Sequence, residues 1–210
     1  QGMVAESWLS PLDWYETNII GQVRLLESLR KYSGLKRYLH ISTPEVYGNN
    51  VGWVSETMNF SPSTPYAVSR AAFDLHLNAY VKAYEFPCIW TRAANVYGPG
   101  QQLYRVIPRA FLSALTGETM IIQGGGVSER SFIHIEDVCA ASLEILEKGT
   151  VGDTYHISTN ELIKIRNLVE KIFSICNADF DKIVQVGPER LGKDAAYKLD
   201  SSKIRSQFTW

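Results

Sequence analysis

Short apolar runs alternate with helical patterns along most of the chain. YLHIS at 38–42 and FPCIWTRAANVYGPG at 86–100 suggest one strand each, the second followed by an exit loop, and their apolar parts suit strands buried in a parallel sheet. Thr64 and Pro65 suit the cap and the first turn of a helix that runs from there to about Tyr84. Strand, helix and strand in succession predict an α/β fold with a doubly wound sheet.

The same alternation continues on either side of this unit. Apolar spacing predicts helices over 18–32, 106–118 and 162–176, strands at 119–123, 152–159 and 182–187, and a glycine loop, a strand and a helix over 124–149. The loop from Gly48 to Thr64 is too rich in Gly, Asn, Ser and Pro for a regular element. The polar tail from Pro188 to Trp210 is predicted to stop without a terminating element.

Composition and charge exclude several classes of partner. The 210 residues are 45% hydrophobic, enough for one sizeable core or for one domain with a smaller lobe. The 21 Lys and Arg residues are interspersed with 22 Asp and Glu residues, for a formal net charge of -1, which predicts neither a nucleic-acid footprint nor a membrane-binding patch. Cys88, Cys139 and Cys176 are predicted to be buried, reduced thiols of a cytoplasmic protein. The histidines lack ligand spacing, so no metal site is predicted.

Four polar residues are predicted to meet where the first strand ends and the next helix begins. The strand places Thr43 and Glu45 at its carboxyl end, and Tyr66 and Arg70 lie one turn apart on the helix. A phenol with an ordinary pKa of about 10 is a poor acid or base at neutral pH, and a nearby cation moves that pKa towards the working range. Thr43 can hydrogen-bond the substrate oxygen that exchanges a proton with Tyr66. The combination predicts a proton-transfer site for a carbinol or a carbonyl.

These residues carry a resemblance to a known family. Thr43, Tyr66 and the basic residue at 70 resemble the Ser/Thr and Tyr-x-x-x-Lys constellation of the extended short-chain dehydrogenases/reductases. STPEVYG at 42–48 is similar to the Ser-Thr-Asp-Glu-Val-Tyr-Gly segment of the dTDP-glucose 4,6-dehydratases and their nucleotide-sugar relatives. The resemblance covers essentially the whole chain and implies a partial Rossmann-type parallel sheet with a small substrate-binding lobe. It also implies NAD as cofactor, a nucleotide-diphosphate sugar as substrate, and a homodimer through 18–29 and the helix after Tyr66.

The resemblance assigns a role to each of the four polar residues. In the dehydratases, hydride leaves C4 of the sugar for NAD, a Glu removes the C5 proton, an Asp protonates the departing C6 hydroxyl, and hydride returns to C6. Thr43, Tyr66 and Arg70 correspond to the residues that handle the C4 hydroxyl proton, and Tyr66 and Arg70 also contact the cofactor. Glu45 corresponds to the base at C5. Pro44 replaces the Asp and Arg70 replaces the Lys, which leaves open a nucleotide-sugar epimerase that acts at C4 and needs no acid for water loss.

Five further residues are candidates for substrate binding through the same resemblance: Asn95, Arg105, Arg130, Arg190 and Tyr197. Asn95 matches an Asn beside the phosphate region of the sugar nucleotide, with an ordinary turn residue as the alternative. Arg105 and Arg130 match basic positions near the diphosphate, which a planar guanidinium can contact through two hydrogen bonds. Arg190 and Tyr197 match a stretch that lines the nucleotide pocket.

The glycine-rich dinucleotide loop of the superfamily is not found in the sequence. Gly98 and Gly100 flank a proline, and the glycines at 124–126 do not follow a strand and open a helix, as a dinucleotide fingerprint must. The chain is therefore expected to be a fragment of a longer enzyme, with a non-catalytic remnant or binding protein as a further alternative. The expected division is a Rossmann-type core over 1–102 and 132–158 and a substrate-binding lobe over 103–131 and 159–210.

Overall fold

The computed structural model describes residues 1–50, 52–189 and 198–210. Its helices are α1 (Pro11–Tyr15), α2 (Gln22–Leu29), α3 (Pro65–Tyr84), α4 (Val106–Thr116), α5 (Ile135–Lys148), α6 (Ile165–Ile175), α7 (Phe180–Ile183) and α8 (Ser202–Gln207). Its strands are β1 (Tyr38–Ile41), β2 (Trp53–Val54), β3 (Cys88–Ala93), β4 (Asn95–Tyr97), β5 (Met120–Gln123), β6 (Glu129–Arg130), β7 (Phe132–His134), β8 (Thr154–Ile157), β9 (Ile163–Lys164), β10 (Val184–Gly187) and β11 (Lys198–Leu199). Within these ranges, no helix combines the length and the apolar character that crossing a bilayer requires.

The central sheet is parallel, with the strand order β1-β3-β8 in the described residues. β3 lies in the middle, with Tyr38 opposite Cys88 on one side and Trp90 opposite Thr154 on the other. Parallel neighbours need a crossover connection, and α3 supplies it between β1 and β3. This order of strands and helices confirms the predicted α/β fold.

Successive residues of β3 point to opposite faces of the sheet, and helices cover both faces. Cys88 and Trp90 pack against Leu26 of α2 and Phe73 of α3. Ile89 packs on the opposite face with apolar side chains of α5, β8 and α8. Because full burial of a large apolar side chain contributes about 1.5–3 kcal/mol, this double coverage explains why β3 is apolar on both sides at its start.

A separate apolar cluster forms around α4 and α6. Ala110 of α4, Met120 and Ile122 of β5, and Val169 and Phe173 of α6 are buried in it. β5 pairs in parallel with β10, and α7 packs against α4 and α6. This part of the molecule therefore has an apolar core of its own beside the central sheet.

The first helical segment differs from its predicted bounds. After a 3-10 turn over Glu6–Trp8, the α-helix begins at Pro11 instead of near Asn18, and a π-helical turn over Glu16–Gly21 separates α1 from α2. Pro11 suits a first helical turn because the amide hydrogen it lacks would have no intrahelical partner there. Trp14 is buried although its neighbours are mostly polar, so the local pattern understated the length of this segment.

Two predictions about irregular segments fail: that the loop from Gly48 to Thr64 has no regular element, and that the polar tail stops without a terminating element. The loop from Gly48 to Thr64 contains β2, and the polar tail contains β11 and α8, so both predictions were wrong. β2 and β11 pair in parallel with each other, and Leu199 and Ile204 are buried. These elements depend on partners far away in the sequence, and local composition does not reveal such partners.

The cysteines do not share one environment. Cys88 is fully buried in β3, Cys176 is half-buried after α6, and Cys139 is exposed on α5. The prediction of three buried thiols is therefore wrong for Cys139, because α5 packs on the sheet through Ala141 and Ile145. Burial raises the pKa of the Cys88 thiol, which makes it an unreactive core residue.

Candidate active site

β1 leads into a short 3-10 turn, Pro44–Tyr47, that begins directly after Thr43. Thr43 caps this turn because its Oγ1 accepts a hydrogen bond from the Glu45 amide (3.3 Å). Pro44 occupies the first position of the turn, where a missing N–H leaves no gap in the hydrogen bonding. The turn thus fixes Thr43 and Glu45 just beyond the carboxyl end of β1.

Gly48 ends the turn in a conformation that other residues rarely adopt. Its φ is 67° and its ψ is -156°, and a Cβ built there would lie 1.9 Å from the carbonyl oxygen of Ser61. The Ser61 amide also donates to the carbonyl oxygen of Val46 (3.0 Å). The chain after the turn therefore lies close against it, which only glycine allows.

Tyr66 and Arg70 lie in the first turns of α3. Thr64 caps this helix, since its Oγ1 accepts from a backbone amide of the first turn (3.1 Å). The Tyr66 amide donates to Ser7 Oγ (3.1 Å), so the segment before α1 packs over the start of α3. The Thr43 side chain lies near the Tyr66 phenol and lowers its pKa. The turn after β1 and the helix thereby place Thr43 beside the Tyr66 phenol.

The pKa of Tyr66 is raised above its ordinary value of 10.0. Burial of the phenol is the largest cause of this rise, and the charge of Glu45 adds to it. Arg70, Thr43 and Arg105 each lower the pKa, and Arg70 does so most strongly. Arg70 acts in the predicted direction. The expected net fall towards neutrality is nevertheless wrong, because desolvation of the phenolate outweighs the nearby cation.

The Arg70 guanidinium lies beside the carboxyl end of β1. It donates a hydrogen bond from Nη2 to the carbonyl oxygen of Ile41. Its Nε is buried, and no residue that the structure describes accepts a hydrogen bond from it. An unsatisfied buried donor costs about 1–3 kcal/mol, so this nitrogen suits an acceptor oxygen that a ligand brings.

Asn95 and Arg130 lie on adjoining segments. β3 ends before Asn95, which begins β4 and pairs in parallel with β7 instead of continuing the central sheet. Asn95 Nδ2 donates to the carbonyl oxygen of Ser131 (3.1 Å). Arg130 is buried on β6, and its Nη1 donates to the carbonyl oxygen of Glu129 (2.8 Å). Ser131 therefore connects the two predicted substrate-binding residues through the backbone.

Arg105 has a different environment from Arg130. It is exposed at the N-cap position of α4, with its guanidinium carbon 5.3 Å from the centroid of the Tyr104 ring. Its charge lowers the pKa of Tyr66, so it lies within electrostatic reach of the turn and the phenol. The other two candidates, Arg190 and Tyr197, lie outside the described residues.

Sequence reasoning missed two polar groups that support the site. Asn18 is buried in the π-helical turn, and its Nδ2 donates to Ser69 Oγ (3.1 Å), which in turn donates to the carbonyl oxygen of Tyr66 (2.7 Å). Asp74 and Arg92 are fully buried and form an ion pair. In the sequence, each of these polar residues stands inside an apolar stripe or strand. That position could have indicated a buried polar network, because such residues are rarely buried without partners.

An open apolar cavity of about 470 Å³ lies between α4 and the loop after β4. Ile107, Phe111 and Leu115 of α4 contribute much of its apolar surface, and His134 lines it from β7. None of the predicted site residues lines it. The cavity and the polar site around Tyr66 are therefore separate features.

Three comparisons relate this geometry to known proteins. The sequence profile of the NAD dependent epimerase/dehydratase family matches residues 1–158. The dTDP-glucose 4,6-dehydratase of Escherichia coli is 32% identical over 236 residues, covering 99% of this chain and 65% of the relative. The solved dTDP-glucose 4,6-dehydratase from Streptomyces venezuelae, with NAD bound, is 32% identical with a TM-score of 0.93, over 99% of this chain and 64% of that one. UDP-glucose 4-epimerase from Thermotoga maritima, solved with UDP-glucose, is 30% identical with a TM-score of 0.92, over 100% of this chain and 69% of that one.

The fold and the site first define a class. The extended short-chain dehydrogenases/reductases have a parallel sheet with helices on both faces, as this chain does. They also have a Thr after a strand and a Tyr four residues before a basic residue on the next helix. The solved relatives share this fold, so the predicted Rossmann-type fold is confirmed. Within that superfamily, the chain belongs to the NAD-dependent epimerase/dehydratase family. It spans about 65% of the length of the Escherichia coli relative.

Proposed function

We propose that this chain forms the catalytic part of an NAD-dependent nucleotide-sugar 4,6-dehydratase. The observation that carries the proposal is the placement of Thr43, Glu45 and Arg70 around the Tyr66 phenol, where all three act on its pKa. The relatives from Escherichia coli and Streptomyces venezuelae are named as dTDP-glucose 4,6-dehydratases, which supports this reaction. A nucleotide-diphosphate sugar is therefore the proposed substrate.

Tyr66 and Thr43 act at the C4 hydroxyl of the sugar. Thr43 hydrogen-bonds the C4 oxygen, and the Tyr66 phenolate takes its proton as the C4–H bond breaks, which leaves a C4 ketone. NAD, when bound, accepts the hydride from C4 and later gives it back to the sugar. Arg70 favours the phenolate during this step because its charge opposes the rise in the Tyr66 pKa that burial causes.

Arg70 also fits the NAD side of the site. Its buried Nε has no acceptor among the described residues, and a ribose hydroxyl of the dinucleotide would satisfy it. An Arg at the position of the family's Lys keeps the positive charge, although its planar guanidinium presents its donors in a different geometry. We therefore assign Tyr66 and Arg70 to cofactor contact as well as to proton transfer.

Glu45 acts at C5 once C4 is a ketone. Its carboxylate takes the C5 proton, the C6–O bond breaks, and a C5–C6 double bond forms. The departing hydroxide needs a proton, and Pro44 carries none, so Glu45 itself or a water returns one and a molecule of water leaves. Hydride would then add to C6, and Glu45, reprotonated from solvent where it has given up its proton, returns a proton to C5, while Tyr66 releases the C4 hydroxyl proton to solvent, which gives the 4-keto-6-deoxy sugar.

The basic residues bind the sugar nucleotide. Arg130 and Arg105 are proposed to contact the diphosphate, with Asn95 beside them; Arg190 and Tyr197 are proposed to line the nucleotide pocket. The apolar cluster around α4 and α6 supports the proposed division into a Rossmann-type core over 1–102 and 132–158 and a lobe over 103–131 and 159–210.

A nucleotide-sugar 4-epimerase is the second candidate function. Pro44 favours it, because epimerisation at C4 expels no hydroxide and needs no acid at this position. The Thermotoga maritima epimerase, with its TM-score of 0.92, supports the same alternative. Both reactions use the same groups at C4 and differ in the use of Glu45.

Mass spectrometry of the products separates the two reactions. The full natural polypeptide, supplied with NAD, is incubated with a panel of nucleotide-diphosphate glucose substrates that differ in the base. A product lighter than its substrate by one water supports the dehydratase. A product of unchanged mass with inverted C4, seen by NMR, would replace the dehydratase by the epimerase, and no product with any sugar would favour a binding protein.

We further propose that the protein is a cytoplasmic homodimer. Leu12, Ile20 and Leu25 are exposed on the first helical segment, and Val68 and Leu75 are exposed on α3. Two neighbouring helices with exposed apolar side chains suit association with a second copy. Sedimentation should show a dimer that Leu25→Glu weakens, and a wild-type monomer at micromolar concentration would contradict the proposal.

A further inference from the structure

Beneath the turn that carries Thr43 and Glu45 lies a pair of fully buried charges. Asp74 of α3 and Arg92 of β3 both have 0% exposure, and Arg92 Nη2 lies 2.7 Å from Asp74 Oδ2. Taking two charges out of water is costly unless the geometry is good and further hydrogen bonds satisfy both partners. The other residues that contact Asp74 and Arg92 therefore indicate the structural role of this ion pair.

The partners of Asp74 lie at the start of the turn. Ser42, the residue before Thr43, donates its hydroxyl to Asp74 Oδ2 (2.6 Å). On the other carboxylate oxygen, His40 Nε2 lies 3.2 Å from Asp74 Oδ1. His40 lies in β1 and Ser42 directly follows it, so Asp74 holds the chain where the strand ends and the turn begins.

The partners of Arg92 lie at the end of the same turn. Arg92 Nη1 donates to the hydroxyl oxygen of Tyr47 (2.9 Å), and that oxygen lies 2.7 Å from His156 Nε2. The guanidinium also stacks over two rings, 5.1 Å from the centroid of Tyr47 and 5.0 Å from that of Phe60. Tyr47 is the last residue of the 3-10 turn, so Arg92 holds the turn where it ends.

We propose that Asp74 and Arg92 are positioning residues, which hold both ends of the segment 42–47 so that Thr43 lies beside Tyr66 and Glu45 faces the sugar. The inference rests on the proposed function, because it concerns the geometry of the same reaction. Neither Asp74 nor Arg92 touches the reacting atoms. They act through Ser42 and Tyr47, and errors of about 1 Å in the placement of reacting groups are enough to slow catalysis strongly.

The test detaches each end of the turn and leaves the ion pair intact. Ser42→Ala removes the contact with Asp74, and Tyr47→Phe removes the contact with Arg92. Each variant should lower kcat about tenfold with KM for the nucleotide sugar within about twofold, because a displaced turn impairs the reaction more than the binding of substrate. The double variant should lower kcat further.

Tyr155→Phe is the matched control for Tyr47→Phe. Tyr155 is also fully buried, in β8 of the central sheet, and its hydroxyl accepts from the Thr150 amide (3.1 Å) and donates to Gln207 (3.1 Å), away from the turn. It should cost a similar amount of stability and leave kcat within about twofold. Unchanged kcat in both Ser42→Ala and Tyr47→Phe, or an equal loss in Tyr155→Phe, would overturn the proposal.

Hydrogen exchange of the turn separates this inference from the proposed function. The amides of Glu45 and Gly48 are bonded within the turn, and both should exchange at least tenfold faster in Ser42→Ala/Tyr47→Phe than in Tyr155→Phe. This measurement needs no substrate. If wild type turns over no sugar but exchange responds, the proposed reaction fails and the holding contacts stand. If wild type is active and exchange does not respond, the holding contacts fail and the reaction stands.

Discussion

The turn that carries Thr43 and Glu45 is built differently from the segments that carry Asn95, Arg105 and Arg130. Buried side chains fix both ends of the turn, through the Asp74–Arg92 pair. In the segments that we propose to bind substrate, Asn95 contacts the backbone of Ser131, and Arg105 stands exposed. The difference is physically reasonable, because proton transfer requires hydrogen-bond geometry, whereas a cation attracts a diphosphate over a longer range.

Breaking the buried ion pair should produce the largest effect on stability. Asp74→Ala leaves Arg92 buried without its charge partner, and we expect the free energy of unfolding to fall by about 3–5 kcal/mol. Urea titration followed by circular dichroism measures the change. A loss below about 1 kcal/mol would show that water or a neighbouring group replaces Asp74.

An apolar replacement of both charges sharpens this test. The double variant Asp74→Leu/Arg92→Met removes both charges, and such replacements are often neutral or stabilising. We expect it to be more stable than Asp74→Ala and to remain slow in catalysis, because Ser42 and Tyr47 have lost their partners. If this double variant recovered both stability and kcat, the contacts of Asp74 and Arg92 with the turn would not be needed for catalysis. The turn would then not differ in this respect from the segments proposed to bind substrate.

Tyr66→Phe should produce the largest effect on catalysis without unfolding the protein. Loss of the phenol removes the group that exchanges a proton with the C4 hydroxyl, and general acid–base groups contribute about 10²–10⁴-fold to rate. We expect kcat to fall at least 10²-fold, measured by product formation, with the affinity for the nucleotide sugar nearly unchanged. The control Tyr80→Phe removes a phenol from the same helix and should leave kcat within about twofold.

Much of the fold could be predicted from the sequence, because its long elements carry their own local signals. α3 has Thr64 as cap and Pro65 in its first turn, and the apolar run of β3 suits its burial. The prediction that β1 is buried on both faces was wrong, since it buries only His40 and exposes Ile41. The pairing of β2 with β11 joins residues more than a hundred positions apart. A pairing over that distance requires a folded core, so the local pattern of two-residue strands could not predict it.

The side chains that we propose to react were easier to pick out from the sequence than the groups that we propose to hold them. Thr43, Tyr66 and Arg70 have a characteristic spacing, and the structure places Thr43 and Arg70 where both act on the Tyr66 phenol. Asp74 and Arg92 have no such spacing, since they come from different elements and meet only when α3 packs on β3. The net direction of the Tyr66 pKa shift was also unpredictable, because it depends on how deeply the phenol is buried.

His156 should make stability depend on pH in the acidic range. Burial, with the charge of Arg92 as the next cause, lowers the pKa of His156 to about 3. Around the ring lie the Tyr47 hydroxyl and the carbonyl oxygen of Asp200, while Glu56 accepts a hydrogen bond from the backbone amide of His156.

The sign of this dependence follows from proton uptake by the unfolded chain. Unfolded histidine binds a proton below about pH 6.5, whereas folded His156 binds one only near pH 3. The stabilising contribution is therefore complete above pH 6.5 and is lost as the pH falls, by up to about 1.4 kcal/mol per pH unit. Unfolding measured from pH 7 to pH 4 should show a slope that His156→Gln reduces by about one proton, and an unchanged slope would contradict a neutral buried imidazole.

Arg105→Ala should produce the smallest effect on stability and so tests the other side of the comparison. Because Arg105 is exposed at the start of α4, we expect the free energy of unfolding to change by less than about 0.5 kcal/mol. KM for the nucleotide sugar should rise about two- to tenfold, and added salt should reduce the difference from wild type, since an exposed charge is screened. The buried Arg130 is the matched comparison: Arg130→Ala should raise KM further and also destabilise the fold. Equal effects of the two substitutions on stability would mean that the binding segments are as firmly anchored as the turn after β1.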